Sequence, residues 1–241
     1  MTQVAVITGA ARGLGQACAD RFAADGAQLA LVDINGDELT STVTTLKDAG
    51  ARVIGIEADI RTRQACSNVM AKVIAEFGDV DVLVNAAGVY PRRPVLDITE
   101  EDWRFVFDVN VLGTYFMAVE TIARMRAGGG SIVNISSVDG FKAHPDNAHY
   151  AATKAAVISL TRSLALEAAP LGIRINSVAP GPMATEEAKR SDWYQPMVDA
   201  LPTGKPIEAA EVAELVAFLS RRENVSIAGE NIVVSGAGVI V

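Results

Sequence analysis

The chain has 241 residues, half of them hydrophobic, and a formal net charge of -8 at pH 7. This length and composition allow one sizeable core, so we expect a single domain over residues 1–241. The acidic balance excludes the clustered basic face that binds nucleic acid or an anionic membrane, and a small molecule is therefore the expected partner.

The first residues, MTQVAVITGA, contain neither the basic stretch nor the cleavage site of a secretory signal. No apolar run reaches the roughly 18 residues that span a bilayer, and we expect a cytoplasmic protein without a membrane partner. Cys18 and Cys66 each lie in a helical pattern without a second candidate metal ligand nearby in the sequence. Both are predicted to be buried, reduced thiols, and no metal site is expected.

Short apolar, β-branched runs alternate with longer helical patterns along most of the chain. In order, the runs are VAVIT (4–8), LALVD (29–33), RVIGIEAD (52–59), VLVN (82–85), SIVNIS (131–136), IRINSVA (173–179) and NIVVS (231–235). Because they are nearly all apolar rather than alternating, both faces of each strand are expected to be covered by helices. The sequence therefore predicts an α/β fold with a doubly wound parallel sheet.

A glycine-rich loop, TGAARGLG at residues 8–15, follows the first strand directly and precedes a helical pattern. Glycines let the backbone turn tightly toward a pyrophosphate, and the N-terminus of a helix offers free N–H groups. The spacing is G-x-x-x-G-x-G rather than the general G-x-G-x-x-G, so a plain glycine turn is the alternative. We interpret the loop as the phosphate site for a dinucleotide.

Two carboxylates at strand ends, Asp33 and Asp59, are expected near the adenosine part of the dinucleotide. Asp33, 18 residues after Gly15, is placed to accept hydrogen bonds from both adenosine ribose hydroxyls and to repel a 2′-phosphate. Arg12 favours the opposite choice, because a guanidinium pairs well with that phosphate. Asp33 receives more weight, since it is expected against the ribose itself, and NAD is predicted rather than NADP. Asp59 is expected either at the adenine edge or as the cap of the next helix.

Tyr150 and Lys154 are four residues apart in HYAATK, residues 149–154, which places both on one face of a helix. A solvated pair is the alternative, but residues 150–169 are small and apolar, as in a helix buried on more than one side. An ammonium about 4 Å from a phenolate, at an effective dielectric near 20, contributes roughly 4 kcal/mol, or about three pKa units before desolvation opposes it. The phenol is therefore expected to act as a general acid/base.

Ser137 lies thirteen residues before Tyr150 at the end of a strand, where its hydroxyl would polarise a carbonyl. With this serine, essentially the whole chain resembles the short-chain dehydrogenases/reductases. The likeness is carried by TGAARGLG, Asp59, NAAG (85–88), Asn110 in NVLG, Ser137, YAATK (150–154) and APGPMAT (179–185). It implies a Rossmann-type sheet in the strand order 3-2-1-4-5-6-7, a nicotinamide cofactor, and a homotetramer or dimer.

The resemblance also implies roles for individual residues. Tyr150 would be the acid/base, Ser137 would steady the substrate oxygen, and Lys154 would bind the nicotinamide ribose and lower the tyrosine pKa. Asn110 would hold a water in a proton relay, with a purely structural asparagine as the alternative. The implied cofactor site comprises Gly9, Arg12, Gly13, Leu14, Gly15, Asp33, Ile34, Asp59, Ile60, Asn85, Ala86, Gly88, Tyr150, Lys154, Pro180, Gly181, Met183 and Thr185.

Residues 182–207 are interpreted as a substrate lid, because the stretch is rich in proline and charge and contains an apolar cluster around Trp193. A solvated loop is the alternative. The expected substrate site comprises Tyr90, Ser137, Asp139, His149, Tyr150 and Trp193, a largely apolar set that suits a small or medium alcohol or ketone. His149 is either a substrate contact or a residue that only starts its helix.

These features together predict an NAD-dependent oxidoreductase that interconverts a secondary alcohol and a ketone. A 3-oxoacyl-(acyl-carrier-protein) reductase using NADPH is one alternative, weakened because such enzymes have basic residues at the positions of Gly128 and Leu171. A non-catalytic, dinucleotide-sensing Rossmann protein is another. Two departures from the family pattern are Ala86 in place of a second asparagine and Ser235 in place of an aspartate, the latter leaving the packing of the C-terminal interface in doubt.

Overall fold

The strands predicted from the sequence all form, and they lie in one parallel sheet. The computed structural model describes residues 2–125 and 129–241, so Gly128, named above as a carrier-protein position, lies outside the described residues. Within that range the strands are β1 (Val4–Thr8), β2 (Gln28–Asp33), β3 (Val53–Glu57), β4 (Val82–Asn85), β5 (Gly130–Ile135), β6 (Ile173–Pro180) and β7 (Asn231–Val234). Their order, β3-β2-β1-β4-β5-β6-β7, confirms the predicted topology.

Helices cover both faces of this sheet. They are α1 (Gly13–Ala24), α2 (Gly36–Asp48), α3 (Arg63–Phe77), α4 (Glu100–Phe107), α5 (Thr114–Ile122), α6 (Ala148–Ala168), α7 (Glu186–Lys189), α8 (Tyr194–Asp199) and α9 (Ala209–Leu219). A π-helical turn, Asp108–Gly113, joins α4 to α5, and short 3-10 turns occur at Val138–Gly140 and Ala169–Leu171. The long helix predicted at 150–169 is α6.

Each face of the sheet has its own apolar core. Ile7 of β1 belongs to the core that includes Phe22 of α1, whereas its neighbour Val6 belongs to the core that includes Met117 of α5. Successive strand residues point to opposite faces, so one apolar strand supplies both cores. Burying a side chain of this size stabilises the fold by about 1.5–3 kcal/mol, which explains why the strands are apolar throughout.

One helical stretch within the described residues, Glu100–Ile122, is long and apolar enough by composition to cross a membrane. It comprises α4, the π-helical turn and α5, and it packs against α3 and α6. Its inner face carries Met117 and Ala118 into the core. The stretch is therefore part of the helical layer on that face of the sheet.

Both cysteines are buried and free, as predicted. Burial raises the pKa of the Cys18 thiol to about 12 and that of the Cys66 thiol to about 12. Neither thiol forms an appreciable amount of thiolate at neutral pH, so both belong to the core rather than to any chemistry.

Candidate active site

A cavity of about 770 Å³ lies along the carboxyl ends of the central strands. Parallel strands present their following loops at this edge, which is where doubly wound sheets bind ligands. Of the predicted cofactor residues, the wall contains Gly9, Arg12, Gly13, Leu14, Gly15, Asp33, Ile34, Asp59, Ile60, Ala86, Gly88, Tyr150, Lys154, Pro180, Gly181, Met183 and Thr185. The fold thus brings residues from the whole length of the chain to one site.

The glycine loop needs its glycines for close backbone packing. Gly9 has a φ of +65°, and a Cβ there would lie 2.7 Å from the Cα of Ala87. A Cβ on Gly15 would collide with the carbonyl group of Gly9. The residue before α1, Arg12, makes no side-chain cap hydrogen bond to the first turn. The N–H groups in the first turn of α1 are therefore left without a side-chain cap. Together with the positive end of the helix dipole they suit an anionic phosphate, so the loop fits a dinucleotide.

Asp33 and Arg12 are held by different partners. The Asp33 carboxylate accepts hydrogen bonds from the backbone N–H groups of Ala11 and Asn35, each at 3.0 Å. The Arg12 guanidinium lies 3.5 Å from a carboxylate oxygen of Glu38 and 3.2 Å from one of Glu187. Arg12 therefore shares its charge between two carboxylates instead of pointing freely to solvent.

Asp59 lies in the cavity wall and is paired with Arg61. The Arg61 guanidinium donates to the carboxylate at 2.5 to 3.0 Å, and this hydrogen bonding lowers the pKa of Asp59. The cap of α3 is instead Thr62, whose hydroxyl accepts a hydrogen bond from Ala65 N–H at 3.3 Å. The capping role considered for Asp59 is therefore wrong.

Ser137, Tyr150 and Lys154 meet at the end of the cavity formed by β5 and α6. The Ser137 side chain lies close enough to the Tyr150 hydroxyl to favour the ionised form of that phenol. Lys154 lies one helical turn from Tyr150, its Nζ is 5.6 Å from the centre of the tyrosine ring, and it donates to the carbonyl of Ile135 at 2.8 Å. A buried ammonium, a phenol and a second hydroxyl thus share one wall.

Burial dominates the titration of this pair. It raises the pKa of the Tyr150 phenol well above its usual value, the charge of Asp139 raises it further, and the neighbouring Ser137 opposes the rise. Burial lowers the pKa of Lys154 to about 8, with Asp139 acting against the shift. The rise for Tyr150 is opposite in direction to the predicted lowering of the tyrosine pKa, because burial is the largest influence on the phenol.

Asn110 lies in the π-helical turn just behind the wall and is 1% exposed. Its side-chain oxygen accepts from Val89 N–H at 2.9 Å, and its amide donates to the Val89 carbonyl at 2.9 Å and to Thr153 Oγ1 at 3.0 Å. The side chain thus fastens the loop after β4 to α6. The role in a proton relay stays a prediction.

Besides Asn110, two predicted site residues lie away from the cavity wall. Asn85 donates to Asn134 Oδ1 at 2.9 Å and to the Thr114 carbonyl at 3.3 Å, and so joins β4 to β5 and α5. His149 is fully buried on the other side of α6, with its ring 6.1 Å from that of Trp103. Neighbouring helix residues point about 100° apart, which is why His149 faces α4 while Tyr150 faces the cavity. The expected contact of His149 with substrate is therefore corrected.

Aromatic rings line the outer end of the cavity. Tyr90 lies edge-on to Tyr150 at 6.3 Å and to Trp193 at 6.4 Å, and Asp139 lies in the same wall. Sequence reasoning missed Arg92, whose guanidinium lies 4.6 Å from the centre of the Trp193 ring. It also missed Asn147, which donates to Asp139 Oδ2 at 2.6 Å. The only sequence signal for these two residues is their spacing: Arg92 follows Tyr90 by two positions, and Asn147 precedes Tyr150 by three.

The segment interpreted as a lid is joined at its two ends. Ala184 N–H donates to the Ile207 carbonyl at 2.8 Å, and Ile207 N–H donates to the Pro182 carbonyl at 3.0 Å. Between them, α7 and α8 enclose a small apolar cluster of Ala188, Tyr194 and Val198, with Trp193 packed against it. The segment is thus a compact unit over the cavity. We call the two hydrogen bonds that join its ends, from Pro182 and Ala184 to Ile207, its neck.

Related proteins cover nearly the same length. The family model described as Enoyl-(Acyl carrier protein) reductase matches residues 9–238. The chain is 37% identical to the short-chain reductase protein NovJ of Streptomyces niveus, over 97% of this chain and 92% of that protein. It is 34% identical to an (S)-acetoin-forming diacetyl reductase of Staphylococcus epidermidis, with 98% of both chains covered. Identity is also 34% to the 3-oxoacyl-(acyl-carrier-protein) reductase FabG of Thermotoga maritima, over 99% of this chain and 98% of that protein.

Solved structures show the same fold. A dehydrogenase/reductase from Sinorhizobium meliloti matches with a TM-score of 0.95 at 29% identity, over 100% of this chain and 96% of that one. ElxO with NADP bound matches with a TM-score of 0.91 at 27% identity, over 99% of both chains. Identities above 30% over almost the whole length, together with the shared fold, show that this chain belongs to the short-chain dehydrogenase/reductase family of oxidoreductases.

Proposed function

We propose that the protein is an NAD-dependent oxidoreductase that interconverts a secondary alcohol and a ketone. The observation that carries the proposal is the meeting of Ser137 and Tyr150 in one cavity wall, with the Lys154 Nζ 5.6 Å from the centre of the tyrosine ring. The glycine loop and Asp33 line the same cavity. A proton-transfer group therefore lies within reach of a dinucleotide site.

Each residue has a role that its surroundings support. Ser137 and Tyr150 bind the substrate oxygen, and Tyr150 takes the hydroxyl proton on oxidation or returns it on reduction. Lys154, fixed by the Ile135 carbonyl, is the group for the nicotinamide ribose. Asn110 positions Val89 and Thr153 around this site. When bound, the nicotinamide cofactor supplies or accepts the hydride.

A non-catalytic, dinucleotide-sensing protein has no use for a paired phenol and hydroxyl beside the cofactor site. A reductase of carrier-protein substrates is supported by the relative from Thermotoga maritima. In this chain, however, the described carrier position is Leu171, an exposed apolar side chain rather than a basic one. The diacetyl reductase among the relatives agrees better with a cavity lined by Tyr90 and Trp193 for a small substrate.

The first experiment measures NADH formation from a panel of secondary alcohols. Tyr150→Phe removes the acid/base group and should lower kcat by about 10²-fold or more. Tyr115→Phe, the same change on the half-exposed outer face of α5, is the matched control and should leave kcat unchanged. Full turnover by Tyr150→Phe would disprove the mechanism, and failure of every alcohol would leave the non-catalytic alternative.

The choice of NAD rests on the carboxylates around the expected ribose site. Asp33 is held by two N–H groups, and Glu38 and Glu187 share the charge of Arg12, so little positive charge is left for a 2′-phosphate. We expect kcat/KM to be about tenfold or more higher with NAD than with NADP. Asp33→Asn should narrow this ratio, while Asp37→Asn, an exposed acid on α2, should not. A higher kcat/KM with NADP in the unmodified protein would overturn the assignment.

A cytoplasmic location and a homotetrameric or dimeric assembly complete the proposal. Both remain predictions from the sequence.

A further inference from the structure

We propose that the substrate carries a second hydroxyl group next to the reacting carbon, and that Asp139 and Arg92 recognise it. The inference rests on the proposed alcohol oxidoreductase function and names the substrate class of that site. It makes these two residues the determinants of specificity. Asp139 is a carboxylate that the fold buries without fully pairing it.

Asp139 lies in the cavity wall with only 8% of its side chain exposed. Its Oδ2 accepts the 2.6 Å hydrogen bond from Asn147, whereas among the described residues Oδ1 has no hydrogen-bond partner. The imidazole Nε2 of His144 lies 3.4 Å from Oδ1. An ionised carboxylate accepts up to about four hydrogen bonds, so Asn147 leaves Asp139 with acceptor capacity for a ligand that enters the cavity.

Asp139 is also fixed close to the reacting groups. Its backbone N–H donates to Ser137 Oγ at 3.1 Å, so the carboxylate and the serine hydroxyl belong to one short turn. Its charge raises the pKa of both Tyr150 and Lys154. A substrate whose oxygen is held by Ser137 and Tyr150 therefore has its neighbouring carbon near Asp139.

Arg92 supplies the complementary group from the outer side of the cavity. It donates to the Pro145 carbonyl at 3.3 Å and to Met197 Sδ at 3.6 Å, and it stacks on Trp193. A guanidinium has five N–H donors, so these two contacts leave donors for a ligand. Arg92 lies in the wall of the same cavity as Asp139 and Tyr150, and its charge lowers the pKa of both groups.

The pair of opposite charges selects the kind of substituent. An ammonium group would be repelled by Arg92, and a carboxylate would be repelled by Asp139. An alkyl group would make no hydrogen bond to either charged side chain. A hydroxyl both donates and accepts, so it alone of these groups satisfies Asp139 and Arg92 together. The aromatic rings of Tyr90 and Trp193 then enclose the rest of a short carbon chain.

The test compares alcohols that differ by one hydroxyl group. With the full chain, and with both NAD and NADP, kcat/KM is measured for butane-2,3-diol against butan-2-ol and for 1-phenylethane-1,2-diol against 1-phenylethanol. We expect at least one diol to exceed its mono-alcohol by about tenfold or more, the effect of one hydrogen bond to a charged group.

Substitutions of Asp139 and Arg92 then test whether these two residues cause the preference for diols. In Asp139→Asn and in Arg92→Gln, the ratio of diol to mono-alcohol kcat/KM should fall toward one. Asp146→Asn removes a neighbouring exposed charge from the same loop and should keep the ratio, since asparagine tolerates the left-handed backbone there (φ 62°). Because two substrates are compared on one protein, changes in active fraction or in the Tyr150 pKa cancel.

The outcomes separate the two proposals. Equal kcat/KM for diols and mono-alcohols in the unmodified protein, or an unchanged ratio in both variants, would overturn the diol assignment and leave the proposed function standing. Turnover of none of the four alcohols with either cofactor would instead overturn the proposed function, and this inference with it.

Discussion

At the scale of single residues, burial decides the charge state of the acid/base pair. It raises the pKa of Tyr150 and lowers that of Lys154 to about 8, so both groups are shifted toward their neutral forms. A neutral phenol is ready to donate a proton to a ketone. Oxidation of an alcohol needs the phenolate instead, and the phenolate becomes populated only as the pH rises toward the raised pKa.

The pH dependence of alcohol oxidation follows from this raised pKa of Tyr150. For alcohol oxidation, kcat/KM should increase with pH from neutral through the alkaline range. Asp139 raises the phenol pKa, so Asp139→Asn should move the increase in kcat/KM to lower pH. Tyr90, which raises this pKa, and Arg92, which lowers it, act equally in the variant. Initial rates across pH with a mono-alcohol check this, with Asp146→Asn as control. A profile that moves to higher pH in Asp139→Asn would contradict the assignment.

At the scale of elements, the segment 182–207 contacts the glycine loop in addition to the two hydrogen bonds that join its own ends. Glu187 of α7 pairs with Arg12, and its carboxylate also acts on the Tyr90 hydroxyl. Burial, followed by the charge of Glu187, raises the pKa of Tyr90 to about 12, so this hydroxyl stays protonated at neutral pH. One carboxylate therefore connects α7 to both the cofactor end and the substrate end of the cavity.

The lid interpretation predicts that Glu187→Gln loosens α7 and α8. The Arg12 pair is more than half exposed on both sides, so its contribution is about 0.2–1 kcal/mol, and amide exchange over 186–199 should rise by about two- to fivefold. Hydrogen–deuterium exchange with mass spectrometry measures this. Glu186→Gln is the matched control, because Glu186 pairs outward with Lys189 at 2.9 Å. Equal exchange in the two variants would rule out Glu187 as the tie.

At the scale of the whole molecule, apolar side chains remain exposed along two helices that pack together. Trp103, Leu112 and Tyr115 on the α4–α5 stretch are between 37% and 39% exposed, and Leu166 on α6 is 79% exposed. Large apolar side chains that stay exposed on neighbouring helices are typical of protein interfaces. This surface is where the predicted assembly is expected to form.

We expect light scattering after gel filtration to give a mass of four chains, or of two. Leu166→Glu should reduce the assembled fraction, because it places a charge in the proposed interface, whereas Leu166→Met keeps an apolar side chain and should not. A monomer in the unmodified protein at micromolar concentration would contradict the prediction.

The sequence by itself determined the parts of this protein that depend on local pattern. Apolar runs of strand length located the seven strands that residues 2–125 and 129–241 form, because a strand buried on both faces must be apolar throughout. The glycine loop was recognisable because backbone turns and close packing require glycine at Gly9 and Gly15. The spacing of Tyr150 and Lys154 was sufficient to place them together, because the helical repeat is fixed.

Tertiary structure decided everything that depends on long-range neighbours. The sequence does not show that Arg12 meets Glu187 from a segment far along the chain, or that Arg92 stacks on Trp193. The direction of His149 followed from the packing of α6 against α4. The sign of the Tyr150 pKa shift followed from burial, which no spacing in the sequence expresses. Charge, burial and pairing are set by surrounding elements, and these exist only once the chain is folded.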